Sequence, residues 1–197
     1  MIRTLLAATA LTLAAPLALA DHHEEDAEMM MIGPHVGHMA PDFSAVLAAS
    51  GDAVTLADLA GEEGTVLVFS RSLDWCPFCK KQSIDLKDAA APLAEKGWSL
   101  NLITYDAPET LADYADQQSI PYTLLSDTNS AMIDAFGLRN HEMNGKGRYA
   151  GIPHPAIIFI GTDGEIKAML REEGYKDRPP VETVLEKADE LNAADMG

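Results

Sequence analysis

The sequence predicts an α/β protein whose central mixed β-sheet is flanked by helices on both faces. Short apolar runs alternate with amphipathic segments in the order β, α, β, α, β, α, ββ, α. Such alternation is typical of parallel strands joined by crossover helices. The last two apolar runs flank Thr162-Asp163-Gly164, a turn sequence that predicts an antiparallel hairpin. Parallel and antiparallel pairs together make the predicted sheet mixed.

Five apolar runs predict the strands, because each is short and ends at polar or turn-forming residues. They cover residues 65–69, 100–104, 123–125, 156–160 and 166–170. Helical spacing of apolar residues predicts four helices between and after them. These helices are expected from Pro77 to near Gly97, over residues 109–118 and 130–136, and from about residue 180 to residue 191.

The first twenty residues are typical of a secretory signal peptide. Arg3 is the only charged residue there, the apolar middle covers about residues 5–17, and Ala18-Leu19-Ala20 resembles a cleavage site. A membrane anchor is the alternative, but the apolar stretch is short for a span of about 20 residues. We therefore expect cleavage after Ala20 and a secreted or periplasmic protein, without stable membrane insertion afterwards.

The rest of the chain has the size of one ordinary domain and a strongly acidic composition. The formal net charge of the 197 residues is −17 at pH 7. Such a chain repels nucleic acid and anionic membrane surfaces, so neither is expected as a partner. The predicted organisation is a signal peptide at residues 1–20, a flexible His- and Met-rich acidic arm at 21–36, and one α/β domain at 37–194.

The only two cysteines occur in Trp75-Cys76-Pro77-Phe78-Cys79, directly after a predicted strand. Pro77 suits the first turn of a helix, so Cys76 would lie at the helix N-terminus, where a thiolate is stabilised. Cys79, one turn further, could attack a mixed disulfide on Cys76 and resolve it. Half a zinc site or a structural disulfide are the alternatives. No second CxxC or HxxxH supplies further zinc ligands, and a bridge over so short a loop stabilises little.

The acidic arm raises a different class of function, metal binding. After cleavage the chain would begin Asp21-His22-His23, and a free amine with His at the third position can bind Cu(II) or Ni(II). His22 and His23 are therefore the candidate metal ligands. A disordered polar arm without metal in vivo is the alternative interpretation. The redox chemistry itself needs no cofactor beyond the disulfide.

Three parts of the predicted domain carry distinctive motifs. They are the opening Gly37-His38-Met39-Ala40-Pro41-Asp42-Phe43, the middle with Tyr105-Asp106-Ala107-Pro108 and the segment 121–127, and the segment 151–160. These parts resemble the opening G-x-x-A-P-D-F, the middle and the last part of the AhpC/TSA branch of the thioredoxin-like superfamily. The resemblance implies a thioredoxin-like fold and an oxidoreductase of cell redox homeostasis or antioxidant defence.

By this resemblance, Pro155 occupies the position of the superfamily's cis-proline, with Pro153 as the second choice. The family comparison implies that this bond lies against the CxxC, where the preceding backbone pairs with an incoming peptide. His154 would then lie near the sulfurs, and its imidazolium would lower the pKa of Cys76.

The departures from the family separate two redox chemistries. Peroxiredoxins carry P-x-x-x-T-x-x-C and a distant Arg that together orient the peroxide. In this chain, Phe69 stands at the position of that proline and Leu73 at the position of that threonine. Pro155 stands where the distant Arg is expected. Trp75 instead matches the W-C-x-x-C of thioredoxins. The sequence therefore favours thiol–disulfide exchange, with slow reaction toward peroxide.

Three residues near the motif have open roles. Arg71 is expected as a solvated arginine, or alternatively as a cation that replaces the missing Arg of a peroxidase. Ser70 stands where thioredoxins keep a buried acid, and Asp74 could take a proton through water or serve as a helix cap.

The expected partners are disulfide- or dithiol-containing protein substrates and an upstream redox partner. Two alternatives to disulfide exchange remain, a peroxiredoxin-like thiol peroxidase and a copper metallochaperone similar to the SCO type. The spacing of that last type is CxxxC, which counts against it.

Overall fold

A computed structural model describes residues 32–42, 45–174 and 176–195 of the chain. The expected signal peptide, its cleavage site and the candidate metal ligands His22 and His23 lie outside the described residues. The predicted α/β domain lies almost entirely within them.

Seven strands form one sheet, in the spatial order β2-β1-β5-β4-β3-β6-β7. Their bounds are β1 Ala45–Leu47, β2 Ala53–Val54, β3 Gly64–Phe69, β4 Trp98–Thr104, β5 Thr123–Ser126, β6 Ala156–Gly161 and β7 Ile166–Leu170. β3, β4 and β5 are parallel to one another, whereas β6 and β7 are antiparallel to their neighbours. The prediction of a mixed sheet is confirmed, including the hairpin around Thr162-Asp163-Gly164.

Six helices accompany the sheet within the described part of the chain. They are α1 Leu56–Leu59, α2 Pro77–Asp85, α3 Lys87–Glu95, α4 Pro108–Gln118, α5 Ala131–Ala135 and α6 Val181–Asp195. Two 3-10 turns, His141–Met143 and Gly147–Tyr149, lie in the connection from α5 to β6. The predicted helix from Pro77 to Gly97 is in fact two helices that meet at Leu86. Ile84 of α2 is 38 % exposed.

The two faces of the sheet carry separate apolar clusters, as expected for strands covered by helices on both sides. Alternate residues of β3 point to opposite clusters: Val66 and Val68 to one, Leu67 and Phe69 to the other. The first cluster includes both cysteines and side chains of α3, α4 and α6. The cysteine pair is therefore part of the packed core on one face of the sheet.

The short hairpin of β1 and β2 was not predicted from the sequence. β1 has only three residues and β2 only two, so neither produces a clear alternation of apolar and polar positions. β1 pairs antiparallel with β5 and extends the sheet on that side.

Within the described residues, no helix is both long and apolar enough to cross a membrane.

β3 is the strand that leads to the cysteines, and its first residue depends on glycine. Gly64 has a φ of +149° and stands against β6 and Trp98. A Cβ there would overlap with the carbonyl oxygen of Ile160 and lie 2.9 Å from a ring carbon of Trp98. Both the backbone conformation and the close approach therefore require glycine.

Gly64→Ala should lower the free energy of unfolding by more than about 2 kcal/mol, because strain and overlap add. Gly145→Ala is the matched control: its φ is +72° but nothing lies within 4 Å of the added Cβ. We expect a loss there of only about 1 kcal/mol, from the backbone alone. Urea unfolding measures both, and equal losses in the two variants would contradict the packing argument.

Candidate active site

A disulfide joins Cys76 and Cys79, whose Cα atoms are 5.3 Å apart. Cys76 is the N-cap of α2, which begins at Pro77 as predicted, and its Sγ accepts the backbone N–H of Cys79 at 3.3 Å. The Cys76 sulfur thus lies where a helix N-terminus stabilises negative charge. This is the geometry expected of a redox-active pair.

The turn before Cys76 is held by the buried carboxylate of Asp106. One oxygen accepts the hydroxyl of Ser72 at 2.7 Å, and the other accepts the backbone N–H of Leu73 at 2.6 Å and the hydroxyl of Thr104 at 2.9 Å. Ser72 Oγ in turn accepts the backbone N–H groups of Asp74 and Trp75. One carboxylate therefore fixes the backbone that leads into the helix.

The register of two parallel strands explains how Asp106 reaches this turn. Phe69 pairs with Ile103, so the residues that follow β3 and β4 emerge at the same edge of the sheet. Ser72 and Asp106 each come three residues after that pair. This role was not predicted from the sequence, although Ser72 and Asp106 each lie within three residues of a predicted strand end.

Trp75 is fixed by contacts from two other segments. Its Nε1–H donates to the hydroxyl of Tyr105 at 2.8 Å, and that hydroxyl donates to the carbonyl of Arg148. The Tyr149 ring meets Trp75 edge-on with 5.0 Å between centroids, and the Arg148 guanidinium lies 5.3 Å from the Trp75 ring. The 3-10 segment 147–149 is therefore anchored beside the cysteine motif.

A cavity of about 810 Å³ opens beside Cys76. Its wall is largely apolar and aromatic, and the contributing side chains include Trp75, Phe78, Met143, Tyr149 and Ile152. Cys76 is 2 % exposed and lines this cavity, whereas Cys79 is fully buried. Any substrate that enters the cavity therefore meets Cys76 first.

Arg71 and Arg178 are buried or half-buried arginines near the cysteine motif, and only Arg71 was considered from the sequence. Arg71 is 8 % exposed and lines the cavity, so the expectation of a solvated arginine is wrong. Arg178, in the segment between β7 and α6, directs its Nη2 to within 3.7 Å of the Cys79 Sγ. No sequence signal marked Arg178, because it is a loop residue 99 positions from Cys79.

His154 and Pro155 both line the cavity, as expected, but not in the predicted form. No peptide bond among the described residues is cis, so the prediction of a cis Pro155, or of Pro153 instead, is wrong. The backbone N–H of His154 donates to the carbonyl of Leu138 at 2.7 Å and is not available to an incoming peptide.

The imidazole of His154 does not carry the expected charge. Burial, with smaller contributions from Arg171 and Arg71, lowers the pKa of His154 below its usual value. The ring is therefore neutral at pH 7, and the cations that surround the pair are arginines.

The remaining predicted residues contribute little to the cavity. Asp74 is exposed and does not line it, so a role in proton transfer gains no support from the structure. Ser70 is fully buried, and its hydroxyl has no hydrogen-bond partner among the described residues. No group of three or more His, Cys, Asp or Glu side chains in the described ranges could hold a metal ion.

Comparison with known proteins identifies the family of this chain. The model of the AhpC/TSA family matches residues 36–169. The chain belongs to the AhpC/TSA family. The expected resemblance and the thioredoxin-like fold are therefore both confirmed.

Relatives in the AhpC/TSA family include the peroxiredoxin Bcp of Escherichia coli K12. It is 30 % identical over 131 residues, which cover 66 % of this chain and 81 % of Bcp. The crystal structure of peroxidoxin BcpB from Mycobacterium tuberculosis superimposes with a TM-score of 0.67 at 22 % identity, over 83 % of this chain and 98 % of that one. The bacterioferritin comigratory protein of Xanthomonas campestris, whose structure was studied for alkyl peroxide reduction, gives 0.64 at 17 % identity, over 76 % and 92 %.

Asp106→Asn should slow the reaction of Cys76, because an amide puts a donor against the N–H of Leu73 or the hydroxyl of Ser72. The free energy of unfolding should fall by about 2 kcal/mol. In a Cys79→Ser background, we expect alkylation of Cys76 by iodoacetamide to slow several-fold as the turn loses its fixed position.

Asp127→Asn is the matched control, since Asp127 is also buried and accepts backbone N–H groups of α5 at 3.0 Å. It should lose stability without a change in alkylation rate. Equal alkylation rates in both variants would show that the turn does not depend on Asp106.

Proposed function

We propose that the protein is a thiol peroxidase that reduces peroxides at Cys76 and regenerates itself through the Cys76–Cys79 disulfide. The observation that carries this proposal is that Cys76 lines a cavity with the buried Arg71 in its wall, while Cys79 lies behind it at disulfide distance. The peroxiredoxins among its relatives support the same activity. Thiol–disulfide exchange, favoured by the sequence, becomes the second candidate.

The chemistry requires two steps within one chain. The Cys76 thiolate attacks one oxygen of the peroxide, the O–O bond breaks, and the leaving oxygen takes a proton to form water or an alcohol. Cys76 is then a sulfenic acid. The Cys79 thiolate attacks the Cys76 sulfur, the S–O bond breaks, and hydroxide leaves as water once it is protonated. An external dithiol returns the two electrons by reducing the disulfide.

The sequence argues against a peroxidase because Pro155 stands where peroxiredoxins have an Arg. In the proposal, Arg71 replaces that Arg. Its guanidinium is a buried cation in the wall of the cavity that Cys76 also lines. A cation held there would stabilise the charge that develops on the leaving oxygen, and burial makes such an interaction stronger than in water. Leu73 has no hydroxyl to replace the threonine of peroxiredoxins. In the proposal, Arg71 alone therefore stabilises the leaving oxygen.

The hydrogen bond from the N–H of His154 to Leu138 is a further reason to rank peroxide above peptide disulfides. A bound peptide would have to break that bond before it could pair with this backbone. The size and aromatic wall of the cavity nevertheless suit a larger disulfide substrate, and this keeps exchange as the second candidate.

The wild-type protein should consume peroxide rapidly in the presence of dithiothreitol, and Cys76→Ser should abolish this activity. Arg71→Gln should lower kcat/KM at least tenfold, because one electrostatic contact to the leaving oxygen is lost. Lys96→Gln, which removes a cation paired with Asp189 away from the cavity, is the control and should leave the rate unchanged.

The same variants tested on insulin disulfides separate the two candidates. Slow peroxide consumption together with rapid insulin reduction that depends on Cys76 would reverse the ranking. If Arg71→Gln still consumes peroxide fast, the protein is a peroxidase but Arg71 does not stabilise the leaving oxygen.

We further propose that the protein is exported and re-reduced by a dithiol partner of the receiving compartment. The proposal rests on the signal-peptide pattern of residues 1–20 and on the need of the cycle for external electrons. Expression of the full chain in a bacterium should give a periplasmic protein whose mass corresponds to a start at Asp21. A full-length cytoplasmic product would contradict it.

A further inference from the structure

Each nitrogen of the Arg178 guanidinium makes a contact at the buried end of the cysteine pair. Its Nε donates to the side-chain oxygen of Gln82 at 3.0 Å, its Nη1 to the carbonyl of Asp177 at 2.5 Å, and its Nη2 to the Cys79 sulfur at 3.7 Å. Gln82 is itself buried and lies one turn after Cys79 on α2. The guanidinium therefore has a fixed position beside the sulfur that does not face the cavity.

The surroundings of Arg178 are unfavourable to its charge. Burial and the nearby Arg71 lower the pKa of Arg178 to about 10, so it is still a cation at neutral pH. A neutral disulfide offers this cation only a weak acceptor, whereas a thiolate offers a full negative charge. Arg178 therefore stabilises the reduced cysteine pair more than it stabilises the disulfide.

We propose that Arg178 is a positioning residue that holds the Cys79 thiolate, which makes Cys79 a ready resolving nucleophile and the Cys76–Cys79 disulfide more oxidising. The inference deepens the proposed function and rests on its dithiol–disulfide cycle. The step concerned is the second one, in which the Cys79 thiolate attacks the Cys76 sulfenic acid and hydroxide leaves. When the external dithiol reduces the disulfide, Arg178 stabilises Cys79 as the departing thiolate.

The two cysteines are thus activated by different groups. Cys76 has the N-terminus of α2 and the N–H of Cys79, and Cys79 has the guanidinium of Arg178. Of the other charged groups here, Arg71 disfavours the positive charge of Arg178, whereas Asp177 stabilises it. His154, which Arg71 also affects, is neutral at pH 7.

The test measures the pKa of each thiol by following thiolate absorbance in the ultraviolet in single-cysteine proteins. In Cys76→Ser, which retains Cys79, the further change Arg178→Gln should raise the Cys79 pKa by about one unit or more. In Cys79→Ser, which retains Cys76, the same change should have a smaller effect. Arg178→Lys should restore part of the shift, because it keeps the charge.

The reduction potential of the two-cysteine protein gives a second readout. Loss of thiolate stabilisation disfavours the reduced form, so Arg178→Gln should make the disulfide harder to reduce. A tenfold change in the equilibrium constant with glutathione corresponds to about 30 mV. Lys176→Gln removes a charge from the same segment, 5.9 Å from the Phe78 ring, and should change neither the pKa nor the potential.

Gln82→Met keeps the inference testable if Arg178→Gln does not fold, because it releases one anchor of the guanidinium while leaving its charge. It should move the Cys79 pKa in the same direction by a smaller amount. An unchanged Cys79 pKa in whichever of these variants folds, or equal shifts at both cysteines, would overturn the assignment. Neither readout needs peroxide, so a chain that fails as a peroxidase could still pass this test, and the two failures are distinguishable.

Discussion

The site depends above all on the buried carboxylate of Asp106. Three hydrogen-bond donors near the ends of two neighbouring strands converge on it. One of them, the Ser72 hydroxyl, also accepts the backbone N–H groups of Asp74 and Trp75 and so holds that backbone in place. A buried carboxylate is costly unless it is fully hydrogen-bonded, so this turn has little freedom to adopt another conformation. The position of Cys76 at the start of α2, and the cavity beside it, follow from that turn.

From this fixed start, one turn of helix gives the two sulfurs different surroundings. Cys76 lines a cavity with an aromatic wall, whereas Cys79 points inward toward Arg178. A substrate that reacts at the first sulfur therefore leaves the second sulfur in a protected, positively charged environment. Such a division favours a cycle in which one cysteine attacks and the other resolves, which is the requirement common to peroxide reduction and disulfide exchange.

The sequence predicts much of the fold, because each of its five long strands is a clear apolar run and Gly164 marks the hairpin. It does not reveal β1 and β2, which are too short to produce a pattern, or the break at Leu86, where both flanking segments are helical. In the site, the helix start at Pro77 is a local property and is correctly predicted. Arg71, Asp106 and Arg178 depend on tertiary contacts: the fold buries Arg71 and brings Arg178 across 99 positions to Cys79.

The most direct test of the two-step cycle is to trap its intermediate. Reduced protein would be treated with one equivalent of peroxide and dimedone, which captures sulfenic acids, and then digested for mass spectrometry. We expect a Cys76–Cys79 disulfide in the wild type and a dimedone adduct on Cys76 in Cys79→Ser. Little adduct should form on Cys79 in Cys76→Ser, because that sulfur is fully buried. An adduct that forms as fast on Cys79 as on Cys76 would contradict the two-step cycle.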